Sequence, residues 1–430
     1  MNILFKNIEI ITSKKDDIRR ADILIINGII EKIGNISKIP KDTEVIDSKS
    51  LTCTTGFYDM HVHFREPGQT HKENLLTGSL SAMNGGFTGV MCMPNTTPPL
   101  DNVQLISSLK EKTKNYLLDV DFTACVTKNR EGKELANIIS LSDSGVLAFT
   151  DDGSPVANTE ILRRAFEYTA QCNSLIVQHA EDMTLSNYGV MNEGYYSTTQ
   201  GLRGIPVSSE TSIIARDIEI CRNIKNARYH LQHLSCGDSV DIFRNAKKSN
   251  TEKFLKYTTE VCPHHFTLTD SATDGFNTNA KMNPPLRTKK DIDKILEGLK
   301  DGTIDVICTD HAPHTEMEKS LTFEKAPFGI VGLETCVGLT YTYLVKTGII
   351  SIYDMIAKLS DNPRKILNLK PINIKEGEKA NLTILDITKK WTVDKNSFLS
   401  KSKNTPFDEY KLTCKPFAVV NNDKIFYSEL

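Results

Sequence analysis

Several features are scarce or missing in this 430-residue chain, and each absence removes a class of protein. No apolar run approaches the roughly 20 residues needed to span a bilayer. Charge of one sign does not dominate: 52 Lys and Arg stand against 54 Asp and Glu, a formal net charge of −2. That leaves no electrostatic footprint for nucleic acid and no basic face for a membrane surface. Cysteine pairs with C-x-x-C spacing are missing. The ten cysteines are scattered from Cys53 to Cys414, and Cys92, Cys125 and Cys308 lie inside apolar runs. They read as reduced, mostly buried small hydrophobes, not as a thiolate zinc site. No G-x-G-x-x-G follows an early strand, so a dinucleotide-binding doubly wound sheet lacks its usual support. There is no internal repeat and no low-complexity tract. Residues 1–20 carry charges throughout and lack an apolar core with a small-residue cleavage site, which argues against a secretory signal. The expected location is the cytoplasm.

What remains is ordinary globular composition, 39% hydrophobic and 25% charged, in a length suited to one large barrel plus an accessory unit. The first 50 residues read as short strands rich in Ile, Leu and Val. The Asn27-Gly28 pair between two apolar runs predicts a hairpin. The last 60 residues are similar, with "KANLTILDI", "PFAVVNNDKIFY" and a turn at Asn421-Asn422. Between these ends lie eight strand candidates, at 54–63, 88–95, 118–127, 145–152, 175–182, 228–236, 256–264 and 303–312. Amphipathic stretches such as "KENLLTGSLSAMN", "TEILRRAFEYTAQ" and "KKDIDKILEGLK" follow most of them. Alternating βα units imply parallel strands covered by helices, and eight of them match a (β/α)8 barrel. The expected architecture is therefore an α/β fold: a TIM barrel over 54–365, with a small β-sandwich domain assembled from 1–53 and 366–430.

Ionisable residues recur where these strands finish. The first ends in "DMHVHFREPG"; His61 and His63, two apart, share one face of a strand. The fourth ends in Asp151 and Asp152, the fifth in His179, the sixth in His230 and His233, the eighth in Asp310, His311 and His314. Barrel strands present metal ligands and catalytic groups at their C-terminal mouth, so five strands ending this way predict a metal centre. Imidazoles with one or two carboxylates and no thiolate suit zinc, with manganese, cobalt or iron as weaker options. Bound zinc lowers the pKa of a water from about 15.7 to near 7, and two metals about 3.5–4 Å apart would need a bridging ligand such as an Asp from the fourth strand. His230 and His233 are three apart, so only one should face inward. Strand alternation does not decide between Asp151 and Asp152. His71 is expected at a helix start, solvated, and Gly85-Gly86 at a helix end.

The motifs H-x-H-x-R-x-P-G at 61–68, "MPNT" at 93–96, "FTDDG" at 149–153, "KMNPPLR" at 281–287, "TDHAPH" at 309–314 and "PFG" at 327–329 together resemble the class I dihydroorotases of the amidohydrolase superfamily. The resemblance covers nearly the whole chain, from Asn7 to Tyr427. It implies that His61 and His63 hold a first metal, His179 and His233 a second, and that Asp152 bridges them. Asp310 matches a ligand that also serves as catalytic acid and base. Arg65, Asn95 and His314 match residues that hold the free carboxylate of the substrate, a sensible task for the planar guanidinium fork, and His63 is expected among the substrate contacts as well. Asn283 and the backbone at Phe328 and Gly329 match contacts to its ring. His264 and His265 ("CPHHF") match a structural motif. Related enzymes carry a carboxylated lysine on the fourth strand; "AFTDDG" has none, which is similar to the stand-alone bacterial type and leaves one or two Zn2+ per subunit open.

The implied reaction is reversible hydrolysis of L-dihydroorotate to N-carbamoyl-L-aspartate, a step of de novo pyrimidine biosynthesis. A homodimer is the expected assembly, and an association with aspartate carbamoyltransferase follows by analogy. Two readings compete. One is a hydantoinase or allantoinase, whose substrates need no Arg at the Arg65 position. The other is an inactive scaffold, disfavoured because each expected ligand position is filled. The stretch "NEGYYSTTQGLRG" at 192–204 is a candidate lid.

Overall fold

The computed structural model describes residues 1–15, 18–252 and 256–430. The chain opens with five strands: Asn2–Ile10 (β1), Arg19–Ile26 (β2), Ile29–Gly34 (β3), Glu44–Asp47 (β4) and Thr52–Thr55 (β5). Eight more run parallel to one another: Phe57–Val62 (β6), Phe87–Cys92 (β7), Asp119–Phe122 (β8), Ala148–Phe149 (β9), Leu175–Gln178 (β10), Tyr229–Leu231 (β13), Tyr257–Val261 (β14) and Val306–Ile307 (β15). Between β10 and β13 sits a two-stranded pair, Met191–Asn192 (β11) with Gly204–Ile205 (β12). The chain closes with Leu382–Thr392 (β16), Lys411–Asn421 (β17) and Lys424–Tyr427 (β18).

Each of the eight parallel strands falls on one of the eight expected segments. They pair as β6-β7-β8 and as β9-β10-β13-β14-β15. Two parallel bridges join the sheets: Ala124, just past β8, with Phe149, and Val62 of β6 with His311, just past β15. Backbone bonds at these joins are close, with Thr150 N–H donating to the Ala124 carbonyl and His63 N–H to that of His311, both at 2.9 Å. Every strand of the circuit thus has a neighbour on both sides, which removes the unpaired edges of an open sheet. Alternate residues of five strands, among them Tyr58, Met60, Met91, Val177 and Val306, form an apolar cluster of their own. The opposite faces pack against the helices in a larger cluster containing Phe57, Phe87, Phe149 and Phe166. This is the period-2 division expected of strands buried on both faces.

Strands from the two chain ends combine into one eight-stranded sheet, ordered β18-β17-β16-β5-β1-β2-β3 with β4 on β1. Ile3, Phe5, Ile8, Ile23, Leu382 and Val420 are among the members of its separate core. The Asn27-Gly28 hairpin joins β2 to β3, with Asn27 at φ 47° and Gly28 at φ 73°. The second turn lies one residue later than the sequence suggests, at Asn422-Asp423, because Asn421 still pairs with Lys424. His71 also differs from expectation. It lies exposed in a turn, and the helix begins at Leu75 behind an Asn74 cap. Gly85 and Gly86 do end that helix. The 192–204 stretch holds a short helix, Tyr195–Thr199. All ten cysteines are free, and nine are buried. No helix among the described residues is long and apolar enough to cross a membrane.

Candidate metal centre and substrate cavity

β6 reaches the mouth with shifts of register against β7 on both sides of Tyr58-Asp59. Such irregularities re-aim side chains. The His61 and His63 rings lie 5.3 Å apart, and His61 is also 5.3 Å from the ring of His233. His61 Nε2 lies 3.5 Å from Asp152 and 3.4 Å from Asp310. His63 Nε2 lies 2.9 Å from the same Asp310 oxygen and 3.6 Å from the second oxygen of Asp152. His179 Nδ1 and His233 Nε2 face each other at 2.8 Å. Three overlapping His/Asp donor groups result among the described residues: His61–His63–Asp152, His61–His233–Asp310 and Asp152–His179–His233, each with its donor atoms within 4.8 Å of one another; a fourth group joins His61 to Glu260 and Cys308 behind them. All six side chains of the first three groups are buried. Imidazole nitrogens and carboxylate oxygens crowded at that spacing without a thiolate fit a divalent cation of the zinc type.

Backbone geometry favours a built site. Arg65, His233 and Asp310 sit at φ 58°, 29° and 46°. Non-glycine residues there are strained, and such strain gathers at functional positions. The electrostatics are mutual. Burial opposes charge on His61, yet Asp310 and Glu260 hold its pKa well above the ordinary histidine value. Burial would raise Asp310, but His61 and His63 hold it at about 2. Asp152 is likewise held low, against burial, by His61 and His63. His233 is pushed down to about 3 by burial and the neighbouring His179.

The two aspartates left open by the sequence separate cleanly. Asp151 turns away and accepts the Val126 and Thr127 backbone N–H groups at 2.9 and 3.0 Å, as well as the Thr127 hydroxyl. Asp152 faces the histidines. His230 also separates from His233: its ring bonds Thr258 at 2.8 Å and Glu260 at 3.1 Å, behind the donor cluster. His264 and His265 are buried beside Cys262, as a further donor group.

A cavity of about 190 Å³ opens on the cluster. Of the expected site residues only His61 is not part of its wall; His63, Arg65, Asn95, Asp152, His179, His233, Asn283, Asp310, His314, Phe328 and Gly329 all are. Arg65 does not pair with Glu66, which instead meets Lys112 and the Leu75 N–H. Its guanidinium donates to the Pro313 carbonyl and to His314 Nε2, both at 3.2 Å. Asn95 links His63 Nδ1 at 2.9 Å to Asp152 at 3.0 Å. Gly329 admits no side chain, since a Cβ would stand 2.6 Å from the Ala312 carbonyl oxygen and 2.7 Å from the His314 ring, at φ 148°.

Two carboxylates were missed by the sequence reading. Glu260 of β14 accepts His61 Nδ1 at 2.7 Å and contacts His230. Glu181 bonds His179 Nε2 at 3.0 Å and accepts the Asn283 amide at 2.8 Å. Glu260 is the one charged residue in β14, otherwise Tyr, Thr and Val, and that was the signal available for the first.

A family described as dihydro-orotase-like matches residues 52–239. The dihydroorotase of Carboxydothermus hydrogenoformans is 45% identical over 432 aligned residues, covering 100% of this chain and 99% of its own. That of Ruminiclostridium cellulolyticum is 44% identical, covering 97% and 96%. Among solved structures, the L-hydantoinase (dihydropyrimidinase) of Arthrobacter aurescens superposes with a TM-score of 0.87 at 23% identity, covering 100% of this chain and 96% of that one. A D-hydantoinase from Thermus sp. gives 0.82 at 24%. At such identities the likeness is one of fold, whereas full-length identity above 40% to curated relatives settles descent: the chain belongs to the dihydroorotase family.

Proposed function

We propose that the protein interconverts L-dihydroorotate and N-carbamoyl-L-aspartate at a zinc centre in the mouth of a (β/α)8 barrel, residues 54–365, with the strands of 1–53 and 366–430 as an accessory β-sandwich. The observation that carries this is the joining of a buried His/Asp donor cluster to a cavity that ends in an arginine. His61 and His63 would hold one cation, His179 and His233 a second, and Asp152 would bridge them in place of a carboxylated lysine. Zinc in these positions would supply Lewis acidity toward the ring carbonyl and a water made acidic enough to react at neutral pH.

The chain's own residues do the rest. Arg65, with Asn95 and His314, fixes the substrate carboxylate and so turns the scissile amide toward the cation cluster. His63 lies between both sets, 2.9 Å from Asn95 and 2.9 Å from Asp310. Asn283 and the Phe328-Gly329 backbone face the ring. Asp310 takes the proton from the attacking water and returns it to the ring nitrogen as the C–N bond breaks. Held low, it is ionised and able to accept that proton in the hydrolytic direction. Cyclisation runs the same transfers backwards. The guanidinium is what favours dihydroorotate over hydantoins, which carry no carboxylate.

The test is an assay of purified protein with L-dihydroorotate, hydantoin and allantoin, before and after chelation. Turnover of the first alone, lost on chelation and regained with zinc, is expected. The Asp310→Ala variant should fold and lose turnover; more than a few per cent of residual activity refutes its role.

A further inference from the structure

Between β16 and β17 the chain leaves the terminal sheet, and residues 399–404 run across the mouth of the parallel strands. Ser400 donates to Glu73, and Ser402 Oγ donates to the Lys72 carbonyl at 2.8 Å. At the end of this run Asn404, 3% exposed, places its amide between two site loops. Its Nδ2 donates to the carbonyls of Ala312 and Gly329, each at 3.0 Å. Its Oδ1 accepts the backbone N–H of His314 at 3.0 Å. Its own carbonyl accepts the Val331 N–H at 3.0 Å. Ala312, His314 and Gly329 all line the substrate cavity.

We infer that Asn404 is a positioning residue for substrate recognition: one side-chain amide from the C-terminal segment sets the spacing of the His314 and Gly329 loops. The inference rests on the dihydroorotate reading above, under which those loops hold the carboxylate and the ring. Only a carboxamide offers two donors and an acceptor from one planar group of this size. The orientation is fixed by its partners, since the reversed amide would set an oxygen against two carbonyls. The loops have other supports, which makes the role one of adjustment and not of folding. Lys319 Nζ donates to Pro327 and Gly329 carbonyls at 2.9 and 3.0 Å, and Lys281 Nζ to those of Phe323 and Ala326 at 2.6 and 2.7 Å. Without Asn404 the direct tie between the two loops is reduced to the Ala312 N–H bond to the Ile330 carbonyl at 2.9 Å, beside the His311–Ile330 bridge, and the cavity wall beyond it, at His314 and Gly329, can widen where the substrate is gripped.

Asn404→Ala and Asn404→Asp test this. The second keeps the shape and the His314 acceptor but sets a carboxylate against two carbonyls, so it remains informative if the first does not fold. Both should raise KM for L-dihydroorotate about tenfold, the scale of one or two buried acceptors losing a donor. The expected kcat change is within about twofold. The Kd of orotate, measured by calorimetry, should weaken by the same factor as KM, with bound metal per chain unchanged. Unaltered KM and orotate Kd in an active protein would overturn the inference. So would a fall in melting temperature and active fraction with KM constant, the signature of a fold-only role. A wild-type protein that neither turns over dihydroorotate nor binds orotate would instead overturn the substrate reading.

Discussion

The difference between Asp151 and Asp152 is one residue of sequence and a complete change of surroundings. Asp151 is spent on two backbone N–H groups and a hydroxyl; Asp152 meets two histidines and the Asn95 amide. Asp152→Asn should therefore lower bound metal by at least one equivalent per chain and abolish turnover. Asp151→Asn should leave metal content intact and lower the melting temperature, because a buried acceptor set is disturbed. Equal metal loss in both variants, measured by elemental analysis, would contradict the assignment. Glu260 makes a second prediction at this scale. By fixing His61 Nδ1 it orients the ring that faces the cluster, so Glu260→Gln should weaken metal affinity about 10- to 100-fold in a competition titration. The sequence made the type of each ligand legible, and even its strand. Strand alternation alone left Asp151 and Asp152 open, since both lie past Phe149, the last residue of β9, and it was the resemblance that favoured Asp152, and His233 over His230.

At the scale of elements, the eight parallel strands were readable because most of them lie in short apolar runs, and because glycines and caps punctuate the segments between them. What was not readable is how loops distant in sequence share a wall. The 323–329 loop approaches the 312–314 loop so closely that Gly329 has no room for a methyl group. Gly329→Ala must push a methyl carbon against the Ala312 carbonyl oxygen at 2.6 Å and the His314 ring at 2.7 Å, which only a displacement of these cavity-lining loops relieves. The expected outcome is a rise in KM of about tenfold or more with unchanged metal content, since sub-ångström displacements of substrate contacts are costly. A KM within twofold of wild type would mean that this backbone does not touch the substrate. The reach of residues 399–404 back to the mouth was equally invisible, as its bonds are made by Ser, Asn and backbone groups that carry no periodic signal.

Over the whole molecule, three remote pieces of chain meet at one buried carboxyl. Glu334 accepts from Ser81 and Asn84 at 2.8 Å each and from the Leu399 N–H at 2.5 Å. It thereby ties the helix after β6 and the helix Leu333–Thr340 to the C-terminal segment. Burial outweighs these donors and raises its pKa from 4.5 to about 7. The folded protein thus keeps a proton between those values that the unfolded chain has released. The corresponding stability is full below pH 4.5, declines as pH rises, and is gone above about 7. At about 1.4 kcal/mol per pKa unit the loss is on the order of 3 kcal/mol. Glu334→Gln has no such proton to lose. Urea unfolding at pH 5 and pH 8, with metal content matched, should find wild type the more stable relative to the variant at pH 5, with that advantage reduced or reversed at pH 8. Parallel pH profiles for the two proteins would mean that Glu334 is ionised throughout, and that the junction is held by charge-assisted bonds instead of a neutral acid.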